Sequence, residues 1–262
     1  MKYERNVNMV NILMHGCNGK MGQVITGLVK EDENACMAAG VDTWDGIRND
    51  YPVYPTLRDC VVDYDVIIDF SNATAIDSLI DTAVELGKPV VLCTTGLSEE
   101  QLARVQKASE KIAIVRSANM SIGINLLMKL LKDAVVKLAP EGFDVEIVEK
   151  HHNQKLDAPS GTALMLADAV SEALPYDAEY VYDRHERRMK RPQNEIGIHS
   201  VRGGTIVGEH EVLFAGRDEL IEIRHVALSR EVFAVGAVDA AAFLGTQKQP
   251  GMYDMSDVIA AK

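Results

Sequence analysis

Met9-Val-Asn-Ile-Leu-Met-His15 runs directly into Gly16-Cys-Asn-Gly-Lys-Met-Gly22. Val10, Ile12 and Met14 alternate with Asn11, Leu13 and His15. Apolar groups on both faces predict a strand buried on both sides. Glycine then recurs at every third position, and Met21 to Lys30 reads as a helix. A strand, a glycine turn and a helix start in that order suit a phosphate. The helix start offers free N–H groups and its dipole, and glycine lets the backbone come close. The spacing is GxxGxxG rather than the commoner GxGxxG. A second apolar run, Ala35 to Val41, ends at Asp42, twenty residues past Gly22, where an acceptor for ribose hydroxyls belongs. These features predict a dinucleotide-binding fold, against the plainer alternative of a glycine turn with a surface aspartate.

Outward from this segment, strand and helix alternate. Val66-Ile-Ile-Asp-Phe70, Pro89 to Cys93 and Ile112 to Val115 read as buried strands. Ala73 to Leu86 and Ser98 to Lys111 read as helices. That rhythm predicts a parallel sheet with helices on both faces, an α/β, Rossmann-like domain. After Asn119 the rhythm changes. Ile122 to Leu138 is one long helix, Phe143 to Glu149 alternates as a strand with one wet face, and Ala163 to Leu174 is helical. A polar stretch, Asp177 to Glu195, precedes strand-like runs at Ile196 to Val201, Thr205 to Phe214 and Leu220 to Ala227. Arg202-Gly-Gly204 and Gly216-Arg-Asp218 read as hairpin-like turns between them. Glu231 to Leu244 closes the chain as a helix. The second region is therefore expected to be an α+β domain with a mixed or antiparallel sheet and helices on one face.

Composition bounds the function. The 262 residues are 47% apolar and 25% charged, with a net charge of −12. That balance is globular. No apolar run reaches the roughly 18 residues of a membrane span. Residues 1–8 are polar and read as a tail, not a signal peptide, with Met9 a possible natural start. Residues 1–120 and 121–262 each carry −6, so neither half offers the basic surface that nucleic acid requires. Arg184, Arg187, Arg188, Lys190 and Arg191 form the one basic cluster, read as a solvated loop or a surface attracting a small anion. Cys17, Cys36, Cys60 and Cys93 form no CxxC pair and read as reduced thiols of a cytoplasmic protein.

The most specific stretch is Glu149-Lys-His-His-Asn-Gln-Lys-Leu-Asp-Ala-Pro-Ser-Gly-Thr-Ala163. His151 and His152 end a strand, and Lys155 follows in the loop. Ser160 is a natural N-cap, so the N–H groups near Gly161 and the Thr162 hydroxyl form a receptor for a carboxylate. Two imidazoles, an ammonium and an anion-binding helix start suit a small polycarboxylate whose reaction needs a proton. Metal ligation by the His pair lacks a third ligand nearby, so no metal is expected.

This stretch resembles the signature of the bacterial dihydrodipicolinate reductase (4-hydroxy-tetrahydrodipicolinate reductase) family. The likeness extends from Val10 to Ile259 and includes Gly16 to Gly22, Asp69-Phe-Ser71, Cys93-Thr-Thr-Gly96, Ala118 to Asn125, Val207-Gly-Glu-His210 and Phe233 to Ala237. The resemblance implies reduction of 4-hydroxy-tetrahydrodipicolinate by NADH or NADPH in lysine and diaminopimelate synthesis, by a homotetramer. It implies His151 as catalytic acid/base, Lys155 as proton donor, His152 as substrate-binding imidazole, and Gly161 and Thr162 as the carboxylate site. It implies cofactor contacts from Gly16, Cys17, Asn18, Gly19, Lys20, Met21, Asp42, Cys93, Thr94, Thr95, Ser117, Ala118, Asn119 and Met120. The family usually has Gly where Cys93 stands, and often a basic residue where Thr43 stands. The uncharged Thr43 and Trp44 after Asp42 point to use of both cofactors with a lean to NADH. The implied division is residues 1–119 with 230–262 for the cofactor and 120–229 for substrate and oligomerisation, with a hinge between. Another NAD(P)-dependent oxidoreductase of an aspartate-like substrate, or a nucleotide-sensing protein without turnover, remain open. So does the proton's source: His151, Lys155 or water.

Overall fold

The computed structural model describes residues 9–247 and 249–262, so the polar tail 1–8 lies outside the described residues. The chain divides into two compact units. One ends at Ile122 and resumes over Glu231–Lys262; the other is Gly123–Arg230.

In the first unit, strands β1 (Val10–His15), β2 (Ala35–Val41), β3 (Val53–Tyr54), β4 (Val66–Asp69), β5 (Val90–Leu92) and β6 (Ala113–Arg116) alternate with helices α1 (Lys20–Lys30), α2 (Ile76–Leu86) and α3 (Glu99–Ala108). A late strand, Gly251–Tyr253, joins the edge beside β6, giving the order Gly251–Tyr253, β6, β5, β4, β1, β2, β3. Every pair is parallel. The two-residue period of β1 explains why both faces are covered. Ile12 and Met14 pack with Ile25 and Val29 of α1 and with Ala234, Ala237 and Ala241 of the closing helix Glu231–Thr246. Leu13 points the other way, into Ile76 and Ile80 of α2 and Val105 of α3. Truncating one of these fully buried side chains to Ala costs about 2–5 kcal/mol. The first unit is thus the α/β layer structure that the alternation predicts. β3, the Gly251–Tyr253 strand and a final short helix, Met255–Ala260, are additions too brief to leave a periodic pattern.

The sheet changes direction of growth between β1 and β4. β2 follows β1 on one side, whereas β4 lies on the other. Ligands of open parallel sheets bind outside the carboxyl ends of the strands at such a point. His15 and Asp69, the last residues of β1 and β4, face each other there in register.

The second unit takes all but the first residue of α4 (Ile122–Leu138), then β7 (Asp144–His151), α5 (Gly161–Ala173), β8 (Glu179–Val181), β9 (Glu195–Arg202), β10 (Gly208–Ala215) and β11 (Leu220–Ala227). The sheet order is β11, β10, β7, β9, β8. β7, β8 and β9 run parallel; β10 is antiparallel to β7 and β11. It is a mixed sheet. Val145, Ile147, Ile198, Val212 and Phe214 of its inner face pack with Leu127 and Leu131 of α4 and Leu166 and Val170 of α5.

One expected turn is overturned. Arg202-Gly-Gly204 does not make a hairpin, because β7 lies between β9 and β10. Alternation reports which faces are buried but not which strand lies alongside. The link instead passes over the end of β7, where Gly203 N–H donates to His151 C=O at 2.9 Å and Asn153 N–H donates to Gly204 C=O at 3.2 Å. Gly204 takes φ of +49°, which favours glycine. The Gly216 turn is a true hairpin, pairing Ala215 with Leu220.

The basic cluster is also corrected. Arg184 and Arg191 bind Glu146, Arg184 and Arg187 bind Glu195, and Arg191 also reaches Asp144. Three of its five cations are therefore held by the second unit's own carboxylates instead of forming a surface for a small anion.

Candidate active site

The first unit gathers its candidate cofactor residues at the carboxyl ends of β1, β2, β5 and β6. Gly16 takes φ of +82°, and a Cβ there would sit 2.7 Å from Phe70 O. A Cβ on Gly22 would sit 2.3 Å from Gly16 O. The loop therefore closes on itself and on the end of β4 as only glycine permits. Gly19 caps α1 with no side-chain hydrogen bond, which leaves the helix-start N–H groups of Lys20 and Met21 available to an anion. Asn18 N–H donates to Asp42 Oδ2 at 2.9 Å, and Trp44 N–H to Asp42 Oδ1 at 3.0 Å. The phosphate loop and the acid after β2 are thereby joined directly. Trp44 itself is exposed, and its indole lies where a Cβ on Gly46 would fall.

Cys17 and Cys93 are core side chains, so only their backbone can serve a ligand. Burial pushes the Cys17 thiol up to about 11 and the Cys93 thiol well above its ordinary value, with Asp69 adding to the latter. Thr94 Oγ1 is buried without a partner, and so is Asp69 Oδ2. The other Asp69 oxygen binds His15 Nδ1 at 2.6 Å and Ser71 Oγ at 2.6 Å. Ser117 Oγ donates to Asn119 O, Asn119 Oδ1 accepts from Ser121 N, and Met120 is buried against Gly236 of the closing helix. The glycine cradle, the uncapped helix start and the unpartnered Thr94 hydroxyl fit a dinucleotide.

The second unit builds a denser site from the ends of three neighbouring strands and the start of α5. Glu149 and His151 share the inner face of β7, as residues two apart on a strand must. Both are buried, Glu149 completely. His151 Nδ1 lies 2.6 Å from Glu149 Oε2. Arg202, opposite His151 on β9, donates to both Glu149 oxygens at 2.8 and 2.7 Å. Burial alone would raise the Glu149 carboxyl, but the hydrogen bonds from His151 and Arg202 outweigh it and hold the group well below the usual carboxylate range. Ser160 N–H donates to Glu149 Oε1 at 3.1 Å, while Ser160 Oγ accepts from Ala163 N–H as the N-cap of α5.

His210, on β10 opposite Glu149, contacts Ser160 Oγ at 3.0 Å through Nε2. Its ring meets that of His151 edge-on, with centroids 5.1 Å apart. Burial, reinforced by His151, lowers His210 to about 3, so this ring is neutral at pH 7. Lys155 Nζ pairs with Asp157 at 2.8 Å, and Lys155 N–H donates to His152 C=O. His152 is half-buried, and Gly161 opens α5 with no atom within 4 Å of where a Cβ would stand. The structure thus brings His151 and Ser160 N–H onto the Glu149 carboxylate, and gathers Lys155 Nζ and the Gly161 backbone N–H onto that of Asp157. Among the described residues, no group of three His, Cys, Asp or Glu side chains could hold a metal ion, and no helix is long and apolar enough to cross a membrane.

Family models for the two parts of dihydrodipicolinate reductase match in tandem, the N-terminal part over residues 10–120 and the C-terminal part over residues 123–259. The chain belongs to the dihydrodipicolinate reductase family. It is 55% identical over 251 residues to a 4-hydroxy-tetrahydrodipicolinate reductase of Caldanaerobacter subterraneus, covering 96% of this chain and 98% of that one. A 4-hydroxy-tetrahydrodipicolinate reductase of Clostridium tetani is 51% identical over 94% of this chain and 96% of its own. The dipicolinate-bound dihydrodipicolinate reductase from Paenisporosarcina superposes with a TM-score of 0.78 at 26% identity, over 94% of this chain and 97% of that one.

Within this dihydrodipicolinate reductase frame, sequence reading missed four contributors. Glu149 stands inside the quoted motif without a role, and Arg202, Gly208 and His210 stand outside it. Glu149 had a usable signal, its two-residue offset from His151 on one strand face. Gly208 and His210 lie in the Val207-Gly-Glu-His210 run that carries the resemblance, but without a role, and Arg202 had no signal, because only the β9–β7–β10 pairing brings the three to β7.

Proposed function

We propose that this chain reduces 4-hydroxy-tetrahydrodipicolinate to tetrahydrodipicolinate with NAD(P)H, a step of lysine and diaminopimelate synthesis, with loss of water overall. The observation that carries the reading is the buried Glu149–His151 pair, bonded through Ser160 N–H to an anion-receptive helix start, in a chain of this family. In this reading the first unit holds the dinucleotide and the second holds the dicarboxylate. Loss of the C4 hydroxyl with a proton from the neighbouring carbon, as water, would give a conjugated cyclic imine, and the reduced nicotinamide, when bound, would supply a hydride to C4 of that imine. The density left on the neighbouring carbon and ring nitrogen then requires a proton, for which His151 and Lys155 are the candidate donors. Lys155, His152 and the Gly161–Thr162 helix start bind the substrate carboxylates by charge and by N–H donation.

The cofactor would lie along Gly16 to Met21, with its pyrophosphate on the start of α1, its ribose at Asp42, and further contacts from Cys93 to Thr95 and Ser117 to Met120. Both cofactors are used, with NADH favoured, since Asp42 opposes a 2′-phosphate. The chain assembles as a homotetramer through the outer face of the second sheet, where Val201, Leu220 and Val226 are exposed; light scattering in solution reads that state. The four free thiols suit a cytoplasmic enzyme. The function is tested by mixing purified protein with NADH and enzymatically generated substrate and following nicotinamide absorbance. Absence of substrate-dependent loss would overturn the reading.

A further inference from the structure

We propose that Glu149 is the positioning residue for His151: its carboxylate fixes the imidazole as the Nδ1–H tautomer and sets the distance between that ring and the start of α5. The inference rests on the reading of His151 as an acid/base, and it concerns what makes that ring competent.

Each oxygen of Glu149 has at least two donors, and the Ser200 hydroxyl adds another to the carboxylate. Oε2 receives His151 Nδ1 and Arg202 Nη1; Oε1 receives Ser160 N–H and Arg202 Nη2. An ionised carboxylate only accepts hydrogen bonds, so His151 Nδ1 must carry a proton. The guanidinium keeps the carboxylate ionised by a bidentate contact. In the neutral ring the bare nitrogen is then Nε2. In the imidazolium, the proton free to leave is the one on Nε2, and its departure returns the ring to the same Nδ1–H form with the Glu149 bond intact. No rotation of the ring is needed between the two states.

Gly208 supports this orientation. A Cβ at position 208 would stand 3.1 Å from His151 Nε2 and 3.5 Å from Cδ2. The space beside Nε2 is therefore left open by the absence of a side chain on β10. The other groups facing the ring do not compete for Nδ1. Arg202 from β9 is spent on Glu149. His210 from β10 meets the ring edge-on and is neutral, with His225 of β11 beyond it in register. Lys155, in the following loop, pairs with Asp157.

The Ser160 contact gives Glu149 its second effect. The residue that orients the ring also accepts from the N-cap residue of α5, whose next two positions are Gly161 and Thr162. A dicarboxylate held at that helix start is thereby placed at a fixed distance from Nε2. Holding reacting groups in register in this way is a large part of catalytic rate.

The first test reads the wild-type protein and uses a variant only for assignment. Long-range proton–nitrogen NMR of histidine-labelled protein, at about pH 9 where an ordinary imidazole is neutral, reads the tautomer directly; His151 is assigned from the signals lost in His151→Gln. The expected result is a protonated Nδ1 and a bare Nε2. A wild-type ring in the Nε2–H form would overturn the proposal. Glu149→Gln should mix the tautomers and lower kcat by at least about 100-fold, toward the roughly 10⁴-fold that loss of a tautomer-setting carboxylate can cost, with KM for NADH little changed. It should also move the limb of the kcat–pH profile assigned to His151. Glu149→Asp should restore part of the rate and the Nδ1–H form. Should Glu149→Gln fail to fold, the wild-type spectrum and Glu149→Asp still decide. Unchanged tautomer, kcat and pH profile in a folded Glu149→Gln would refute a positioning role. Absent turnover in wild-type protein would instead strike the assigned reaction and leave the tautomer readable.

Discussion

Asp42→Asn isolates the determinant of cofactor choice. In the native protein both carboxylate oxygens are occupied from within the first unit, by Asn18 N–H and Trp44 N–H at 2.9 and 3.0 Å. Those contacts hold the charge fixed at the carboxyl end of β2, where the adenosine ribose of a dinucleotide would lie. A 2′-phosphate about 6 Å from that charge meets a repulsion of about 1–4 kcal/mol across effective dielectrics of 80 to 20. Asparagine removes the charge and keeps the shape. It also replaces one accepting oxygen with an NH2 group, so one of the two backbone N–H donors faces another donor, at a cost of about 1–2 kcal/mol. NADH efficiency should therefore fall about tenfold, while NADPH loses little or gains, moving the ratio of kcat/KM values by tenfold or more, about 1.4 kcal/mol. Binding can be followed separately, because the chain has a single tryptophan and it is Trp44. Quenching of its fluorescence by NADH and NADPH should shift in the same sense as the kinetics. A ratio unchanged within twofold in a folded variant would refute the reasoning. A wild-type preference for NADPH of tenfold or more would do so too, and would direct attention to Lys20 or Arg48.

Other perturbations probe the second unit. Lys155→Ala should raise the barrier to turnover by about 2–4 kcal/mol while leaving NADH binding intact, since it removes a cation beside the helix start proposed to bind the substrate carboxylate; wild-type steady-state rates in this variant would dismiss the assignment. His151→Gln should lower kcat more than it raises KM, and His152→Gln the reverse; swapped profiles would exchange the two roles. Pyridine-2,6-dicarboxylate should compete with substrate, and calorimetry without binding in the presence of NADH would count against a dicarboxylate site. The second unit should lose stability in acid. Burial opposes ionisation of Glu146, but Arg184, Arg191 and His199 outweigh it and place the group at about 2, below the ordinary 4.5. A lowered folded value gives stability that is complete above about pH 5 and drains as pH falls toward 2. With part of the side chain in reach of water, the loss is about 2 kcal/mol. Denaturant titrations at pH 7 and pH 3 should show a smaller pH difference for Glu146→Gln than for wild type, and equal differences would refute this.

The first unit was legible because its chemistry is local and largely made by the backbone. Gly16, Gly19 and Gly22 lie in one turn, and the strand before and helix after them are each long enough to show a period. The link from Asn18 to Asp42 follows from the fold that those periods imply. What the sequence hid there was short. β3 has two residues and the Gly251–Tyr253 strand has three, below the length at which alternation means anything. The second motif was legible as a list of reactive side chains but not as an arrangement. Its local run gives His151, Lys155 and Ser160, and says nothing of what stands on the adjoining strands.

The mistaken hairpin and the missed ion pair have one cause. Had β9 turned back onto β10 at Arg202-Gly-Gly204 while β10 kept its pairing with β7, β10 would separate β9 from β7. Neighbouring strands are about 4.8 Å apart, so Arg202 would then begin nearly 10 Å from the backbone of His151. Its guanidinium could not hold both oxygens of Glu149 from that distance without leaving the sheet. A buried carboxylate without its cation would be costly in the charged form and would take up a proton instead. Protonated, Glu149 could donate to His151 Nδ1 and reverse the tautomer. Placing β9 parallel to β7 avoids this. It seats Arg202 opposite His151, keeps Glu149 an anion, and sends the Gly203–Gly204 link over the end of β7, where Gly203 N–H binds the His151 carbonyl. The strand order is therefore itself a condition for which nitrogen of His151 carries the proton.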